Sequence, residues 1–334
     1  VGTEHDDTSM SGPQILDAIK AAGIVGLGGA GFPTHVKLAP RNPEQIDYVI
    51  ANGSECEPYI TCDDQLMRTR SDGIVEGMRL ILRLFPNAKG VIAIEDNKPE
   101  AIAAMTKACA SDSNISVLEV KAKYPEGGER NLIGVVTGRQ LRFGQLPADL
   151  GCVVCNVSSL NAIYRAVRKS EPLMTRLFTV SGDAVVKPHT MEVRIGTSCR
   201  ELLEAAGGIK PECTAKKILC GGPMMGIAMS TLDVPIAKNN NALTVLAEDE
   251  VELAENQMTA CLRCGRCGHV CPIGLVPQMM AEAAERKDFE RYEKKLYGLD
   301  CIACGSCTYI CPAKRPLMQL FKTTKAEIMA MKKR

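Results

Sequence analysis

The sequence predicts an α/β domain with a mainly parallel sheet, followed by a small β-grasp domain and a helical, cysteine-rich segment. Three observations carry this reading. Between residues 48 and 168, short apolar runs alternate with stretches of helical spacing, the pattern of crossover units in a parallel sheet. Between 177 and 246 two strand-like runs, a capped helix and further strand follow in close order. Between 261 and 312 the run Cys-x-x-Cys-x-x-Cys-x-x-x-Cys-Pro occurs twice.

The elements follow in chain order. Residues 1–12 are polar. A strand at 48–51 ends at Asn52-Gly53, and a helix at 71–85 places Ile74, Val75, Met78, Ile81, Leu82 and Phe85 on one face. Strand 90–94, helix 99–110, strand 115–120 and helix 129–138 come next. Strand 153–155 then leads into helix 158–168, expected to be capped by a serine. KSEPL at 169–173 breaks the pattern. Strands at 177–181 and 191–195 are joined across Gly182-Asp183. Thr197-Ser198 caps a helix at 199–206, which Gly207-Gly208 closes. Strands at 217–219 and 243–246 flank the turn or linker Asn239-Asn240-Asn241. From 248 the chain is helical, with a charged amphipathic stretch at 279–297. The expected domains are 1–170, 174–247 and 248–334.

Of the 334 residues, 46% are hydrophobic and 24% charged, which excludes a disordered or collagen-like chain. A net charge of +1 gives no general pull toward nucleic acid. The apolar stretch 77–85 is short and broken by Arg79 and Arg83, so it does not meet the roughly 20 apolar residues a bilayer crossing needs. No direct membrane insertion is expected. The opening VGTEHDDTSM lacks the form of a signal peptide, and the missing initiator Met raises the expectation of a preceding N-terminal part. There are 16 cysteines. A chain of this length needs no disulfide staples, and the crowding of half of them into two runs points to metal. Cys56, Cys62, Cys109, Cys152, Cys155, Cys199, Cys213 and Cys220 are scattered and read as small buried hydrophobes.

The doubled run has the bacterial-type [4Fe–4S] spacing. Three close thiolates wrap one cubane, and the fourth, before proline, reaches the other. One set is then Cys261, Cys264, Cys267 and Cys311; the second is Cys301, Cys304, Cys307 and Cys271. Gly265, Gly268 and Gly305 are expected to admit backbone N–H groups to the sulfurs. A pair of four-cysteine zinc sites is the alternative. Residues 251–334 carry 14 basic and 9 acidic side chains, an excess that offsets the negative clusters. Two cubanes form a wire that takes one electron at a time, and a wire needs a source.

The N-terminal half supplies a candidate in Gly26-Leu-Gly28-Gly29-Ala-Gly31-Phe32-Pro33-Thr34. Glycines this dense let backbone N–H groups approach a phosphate or a flat ring, although alone they equally describe a tight turn. No clear strand precedes them, so this is not the dinucleotide fingerprint. Further loops follow strands, where a parallel sheet receives ligands: Asn52 to Pro58, Tyr124 to Glu129, and Cys155 to Ser159 at a helix start suited to an anion. Together they read as a nucleotide or flavin pocket.

GLGGAGFPTHVKL, NGSECEP, the YPEGGE segment and the doubled cysteine run resemble the C subunit of the Rnf electron-transport complex. That family is similar over its first part to the flavoprotein subunit of respiratory NADH dehydrogenase. The resemblance implies an FMN-binding α/β domain, a β-grasp domain of the SLBB type and a helical two-cluster ferredoxin-like domain. It implies that Gly26, Gly28, Gly29, Gly31, Phe32 and Lys37 hold FMN and admit NADH. Asn52, Glu55 and Glu57 match the second loop of the pocket, Tyr124, Gly127 and Glu129 the third, and Asn156 an FMN-phosphate contact. The respiratory relative usually has arginine at Leu27, an acidic residue at Ser54 and glycine-glutamate at Gly127-Gly128. It also carries one cluster where this chain has two, which favours the Rnf reading, whose members usually have a further β-rich domain ahead of this region.

The activity implied is hydride exchange between NADH and FMN, in either direction, then one-electron transfer through two [4Fe–4S] clusters. No general acid or nucleophile is expected, because hydride transfer needs none. The implied partners are the other subunits of a membrane electron-transport complex coupled to ion transport, including a ferredoxin-like subunit. The implied place is peripheral, on the cytoplasmic face of the bacterial inner membrane. Two alternatives are a diaphorase subunit of a soluble NAD-linked hydrogenase or formate dehydrogenase, and a flavin-free electron-transfer adaptor.

Overall fold

The computed structural model describes residues 9–333; the polar opening segment 1–8 lies outside the described residues. Two units can be separated. The first takes in the described residues to 141 with 145–223 and 227–247; the second takes in 142–144, 224–226 and the chain from 248.

In the first unit, β1 (Tyr48–Gly53), β2 (Lys89–Glu95), β3 (Ile115–Val120) and β4 (Cys152–Asn156) form an all-parallel sheet in the order β3-β2-β1-β4. The crossovers are helical: α1 (Gly12–Ala21) and α2 (Thr34–Lys37) precede β1, then come α3 (Cys62–Thr69), α4 (Ser71–Leu82), α5 (Pro99–Ala108), α6 (Glu129–Thr137) and α7 (Val157–Lys169). The central strands are apolar through 49–51 and 91–94 because helices cover both faces. Val49, Ala51, Ile92 and Ile94 pack with α1, α4, α5 and α7, while Ile50, Ala93, Val120 and Val154 pack with Leu132 and Ile133 of α6. Glycines decide how closely α4 and α7 approach. A Cβ on Gly77 would lie 2.0 Å from the Leu160 carbonyl oxygen, and one on Gly73 would lie 2.6 Å from Asn161 Oδ1.

Two sequence expectations change here. The helix after β4 starts at Val157 and is capped by Asn156, whose Oδ1 accepts the Ser158 N–H at 2.8 Å, not by a serine. An asparagine carbonyl reaches that amide as well as a hydroxyl does. Helix α3 is additional to the elements the sequence pattern predicts, since CDDQLMRT offers only Leu66 and Met67 as a short apolar stripe.

The second sheet has β5 (Thr175–Ser181), β6 (His189–Arg194), β7 (Lys217–Cys220), β8 (Ile227–Ala228) and β9 (Ala242–Leu246), in the order β6-β5-β9-β7-β8. β5 and β9 are parallel neighbours and the outer pairs antiparallel. Helix α8 (Cys199–Ala205) packs Leu202 and Leu203 onto Phe178, Leu243 and Val245. Its start is a reciprocal cap, with the Glu201 N–H donating to Ser198 Oγ at 3.2 Å and the Ser198 N–H to Glu201 Oε2 at 3.1 Å.

The second unit contains α9 (Glu250–Glu255), α10 (Arg266–His269), α11 (Pro277–Glu285), α12 (Ser306–Tyr309) and α13 (Leu317–Lys332). The cysteine runs repeat in three dimensions. Gly265 and Gly305, at φ 76° and 83°, each turn the chain into a four-residue helix, α10 or α12. A longer helix, α11 or α13, follows each run, and Met280, Ala284, Phe321 and Ile328 form the core between them. The amphipathic stretch 279–297 is not one helix. It breaks at Lys287 (φ 54°) and resumes as a widened turn at Arg291–Lys295, where the Leu296 N–H donates to the Arg291 carbonyl at 3.0 Å. The break lets the fully buried Tyr292 ring enter the core against Gly298, where a Cβ would be 2.2 Å away.

The helix contact yields a paired prediction. Gly77→Ala forces α4 and α7 apart and lowers stability by about 1–3 kcal/mol. Gly134→Ala, in α6 with the nearest atom 3.7 Å away, raises it by about 0.5–1 kcal/mol. Denaturant unfolding of the two variants checks both signs.

Candidate functional site

The loops that leave the carboxyl ends of β1 to β4 gather at one edge of the parallel sheet, with the glycine segment beside them. That segment is a hairpin. Val25 bridges Pro33, the Gly26 N–H donates to the Phe32 carbonyl at 2.8 Å, and the Gly31 N–H donates to the Gly26 carbonyl at 3.0 Å. Gly29 (φ 110°) and Gly31 (φ 66°) hold a conformation that side chains resist. Its tip is open: Gly28, Gly29 and Ala30 are exposed, and Phe32 is 48% exposed. Beneath the tip Leu27 is buried, and its N–H donates to Ser159 Oγ of α7 at 3.0 Å. Gly28 lies against Asn156, and a Cβ there would sit 3.3 Å from the Asn156 Cβ.

The second and third loops interlock. Asn52 Nδ2 donates to the Gly127 carbonyl at 2.9 Å, and Asn52 Oδ1 accepts the Ser54 N–H at 3.1 Å. A Cβ on Gly127 would be 2.3 Å from the Ser54 carbonyl, so this contact requires glycine. Lys37 Nζ donates to Glu129 Oε1 at 3.1 Å and to the Val154 carbonyl at 2.9 Å, tying α2 to the start of α6 and the middle of β4. Asn156 Nδ2 donates to Asp63 Oδ2 at 2.6 Å.

Glu55 is turned inward. Its carboxylate accepts the N–H groups of Asp63 (2.9 Å) and Asp64 (3.0 Å) and the Cys62 thiol (3.3 Å), which makes it the cap of α3. Asp63, which is buried where Glu55 is half-buried, accepts the Ser158 hydroxyl at 2.7 Å besides the Asn156 amide. Burial, with the Asp63 carboxylate adding to it, pushes Glu55 up to about 7. Burial raises Asp63 as well, against the opposing bonds from Ser158 and Asn156.

An open cleft of about 520 Å³ is lined in part by the second loop and by the start of the third. Glu57, Tyr59, Tyr124, Arg68, Lys98 and Lys123 are among its walls, and Glu55 borders it. Of the residues singled out in the sequence, Glu55, Glu57 and Tyr124 meet this cleft. The hairpin glycines, Phe32, Lys37, Asn52, Gly127, Glu129 and Asn156 lie outside its lining. Sequence reasoning missed Asp63 and Lys98. Lys98 Nζ donates to the buried Glu95 at 2.5 Å and to the Glu55 carbonyl at 3.2 Å. The Asp63-Asp64 pair behind Thr61 is the start signal of a helix and marks Asp63 in retrospect.

In the second unit, Cys271 of the first run lines one cavity with Cys301, Cys304 and Cys307 of the second. Burial, then the neighbouring Cys301, Cys304 and Cys271, push the Cys307 thiol up to about 12. Burial also raises Cys267, and the thiol acting on it from the other run is Cys311. Backbone amides aim at sulfur at 3.4 Å in three places: Arg263 at Cys261, Ala303 at Cys301 and Leu275 at Cys271. The backbone of Gly268 supplies a further bond to Cys267, while Gly265 and Gly305 turn the chain. All 16 cysteines are free, and of the scattered eight Cys56, Cys213 and Cys220 are only partly buried. Four thiols around one cavity, with amides directed at sulfur, suit a cluster held by thiolates.

Three family models match: the Nuo51 FMN-binding domain over residues 19–165, the SLBB domain over 177–228, and the 4Fe-4S dicluster domain over 260–316. The fold and the site therefore define a flavin- and iron–sulfur-binding oxidoreductase subunit. Over 327 residues the chain is 43% identical to the C subunit of the proton-translocating ferredoxin:NAD(+) oxidoreductase complex of Clostridium ljungdahlii, covering 98% of this chain and 70% of that protein. It is 42% identical over 333 residues to the Na(+)-translocating counterpart of Acetobacterium woodii, covering 100% and 73%. Against the C subunit of the ion-translocating oxidoreductase complex of Pseudomonas aeruginosa it is 44% identical over 316 residues, covering 94% of this chain and 40% of that longer one. The chain belongs to this family, the C subunits of the Rnf-type ion-translocating ferredoxin:NAD+ oxidoreductases. Among solved structures, the NAD+-reducing [NiFe]-hydrogenase in its air-oxidized state aligns at a TM-score of 0.67 and 20% identity, covering 96% of this chain and 67% of that one. That likeness is one of fold.

The buried carboxylate makes stability depend on pH. Glu55 ordinarily titrates near 4.5 but keeps its proton to about 7 in the folded chain. Between those values the folded state holds a proton that the unfolded state has released, so stability falls as pH rises through the window. Glu55→Gln flattens that slope, as denaturant midpoints measured across the window would show.

Proposed function

We propose that the first unit exchanges hydride between NADH and FMN and the second relays the electrons singly through two [4Fe–4S] clusters. Bound FMN supplies the chemistry that turns one hydride into two single-electron transfers; the chain supplies position and electrostatics. The observation that carries this reading is the open glycine hairpin set against the N-terminus of α7, on a chain that also gathers thiols from both runs.

The backbone of Gly26, Gly28, Gly29 and Gly31 lets flat rings come close, and exposed Phe32 offers a face to stack on. Lys37 and Asn156 serve phosphate, Lys37 with its charge at the middle of β4 and Asn156 at a helix start. Asn52, Tyr124, Gly127 and Glu129 shape the second and third loops, and Glu57 stands toward the nicotinamide side. Glu55, with its oxygens engaged by α3, holds the second loop from behind. One cluster takes Cys261, Cys264, Cys267 and Cys311; the other takes Cys301, Cys304, Cys307 and Cys271. The shared cavity of Cys271 and the second run supports this crossed assignment.

The chain acts as one subunit of a multi-subunit ion-translocating complex. Among the described residues no helix is long and apolar enough to cross a membrane. Attachment to the cytoplasmic face of the bacterial inner membrane then comes through partner subunits, with a ferredoxin-like subunit as the electron partner. Direction follows the relative potentials, so reduction of NAD+ runs by the same route.

Reconstituted protein is expected to carry about eight irons and to need added FMN for NADH-dependent dye reduction. Cys264→Ser is expected to keep that dye reduction while losing the signal of one cluster. Stoichiometric zinc in place of iron, or dye reduction indifferent to FMN, would contradict the reading.

A further inference from the structure

A glycine-rich loop has no side chains of its own to hold it, so something else must fix its backbone. Side chains of the second-sheet segment do so by taking two carbonyls of the hairpin and one of the turn that leads into it. Lys238 Nζ donates to the Gly23 carbonyl at 2.6 Å, Arg176 Nη2 to the Leu27 carbonyl at 3.3 Å, and Asn239 Nδ2 to the Gly29 carbonyl at 3.1 Å. In a planar trans peptide the C=O and N–H point opposite ways. With the Leu27 and Gly29 carbonyls turned to these donors, the N–H groups of Gly28 and Ala30 face away from them. The glycines make room for the contact. Gly23 has φ 67°, and a Cβ there would lie 2.6 Å from Lys238 Nζ; one on Gly31 would lie 3.4 Å from the Asn239 Cβ.

The donors are themselves held. Arg176 of β5 is 4% exposed, and its Nη1 donates to the Lys238 carbonyl at 2.6 Å, so one buried guanidinium spans the turn and the hairpin. Asn240 closes the turn, its Oδ1 accepting the Ala237 N–H at 2.7 Å, and the Asn241 carbonyl accepts the Thr179 N–H of β5 at 3.0 Å. The run Asn239-Asn240-Asn241, which reads from sequence as a turn or linker, is a braced turn.

We infer that the turn at 237–241, with Arg176 behind it, is a clamp that sets the hairpin's amides, so that Arg176, Lys238 and Asn239 are positioning residues for flavin binding. This rests on the flavin reading of the hairpin, and it gives the second sheet a task in the chemistry of the first.

The test uses the full iron-loaded chain and FMN itself, titrated by flavin fluorescence. Asn239→Asp keeps the shape of the side chain but points an acceptor at the Gly29 carbonyl; Lys238→Met removes a donor and Lys238→Arg restores one. The clamp predicts FMN binding about tenfold weaker in Asn239→Asp and Lys238→Met, near wild type in Lys238→Arg, with iron content and unfolding midpoint unchanged. Wild-type affinity in both weakened variants overturns the clamp and leaves the flavin reading standing. A matching fall in iron content and unfolding midpoint that Lys238→Arg does not rescue also overturns it, because it marks a fold defect. A wild-type chain that takes up no FMN overturns the flavin reading itself.

Discussion

The site depends on a stretch of backbone kept open without side chains. Residues 28–30 stay exposed because the groups around them are already engaged: the Gly26 N–H by the Phe32 carbonyl, the Leu27 N–H by Ser159, and the Gly29 carbonyl by Asn239. A loop satisfied in this way has no reason to fold back on the core. It presents peptide edges at fixed positions, which is what recognition of a flat ring and a phosphate requires.

Behind that loop the polar interior is held in balance. Asp63 joins two loops that the sequence separates widely, since Glu55 accepts its N–H while Asn156 and Ser158 donate to its carboxylate. Two carboxylates so close would repel if both ionised. Burial keeps a proton with Glu55, and the charge of Arg176 acts on Asp63 in the opposite sense to burial. The short helix α3 is thus a bracket between loops, and its polarity is part of that task.

What the sequence reveals here depends on how locally each feature is determined. The cysteine runs are legible because their spacing is set within a few residues of sequence. The parallel sheet is legible because β1 and β2 are buried on both faces and so read as unbroken apolar runs. Helix α3 is not, because its main support is the side chain of Glu55, several residues upstream. The break after Glu285 is hidden because a charged, helix-favouring stretch gives way to burial of Tyr292, a tertiary effect. Arg176 gives no signal at all, since an arginine at the start of a strand ordinarily reads as solvated. The hairpin glycines can be located from sequence, but the groups that hold them cannot, because those come from β5 and the turn before β9, between 149 and 215 residues later.

The most direct measurement is an anaerobic titration of the reconstituted chain with NADH, recording flavin absorbance and cluster EPR on the same sample. If one polypeptide passes electrons from hydride to iron, the flavin band bleaches on the first additions and reduced-cluster signals grow with it. Cluster signals that rise while the flavin spectrum stays unchanged, or a flavin that bleaches with no cluster ever reduced, would contradict it.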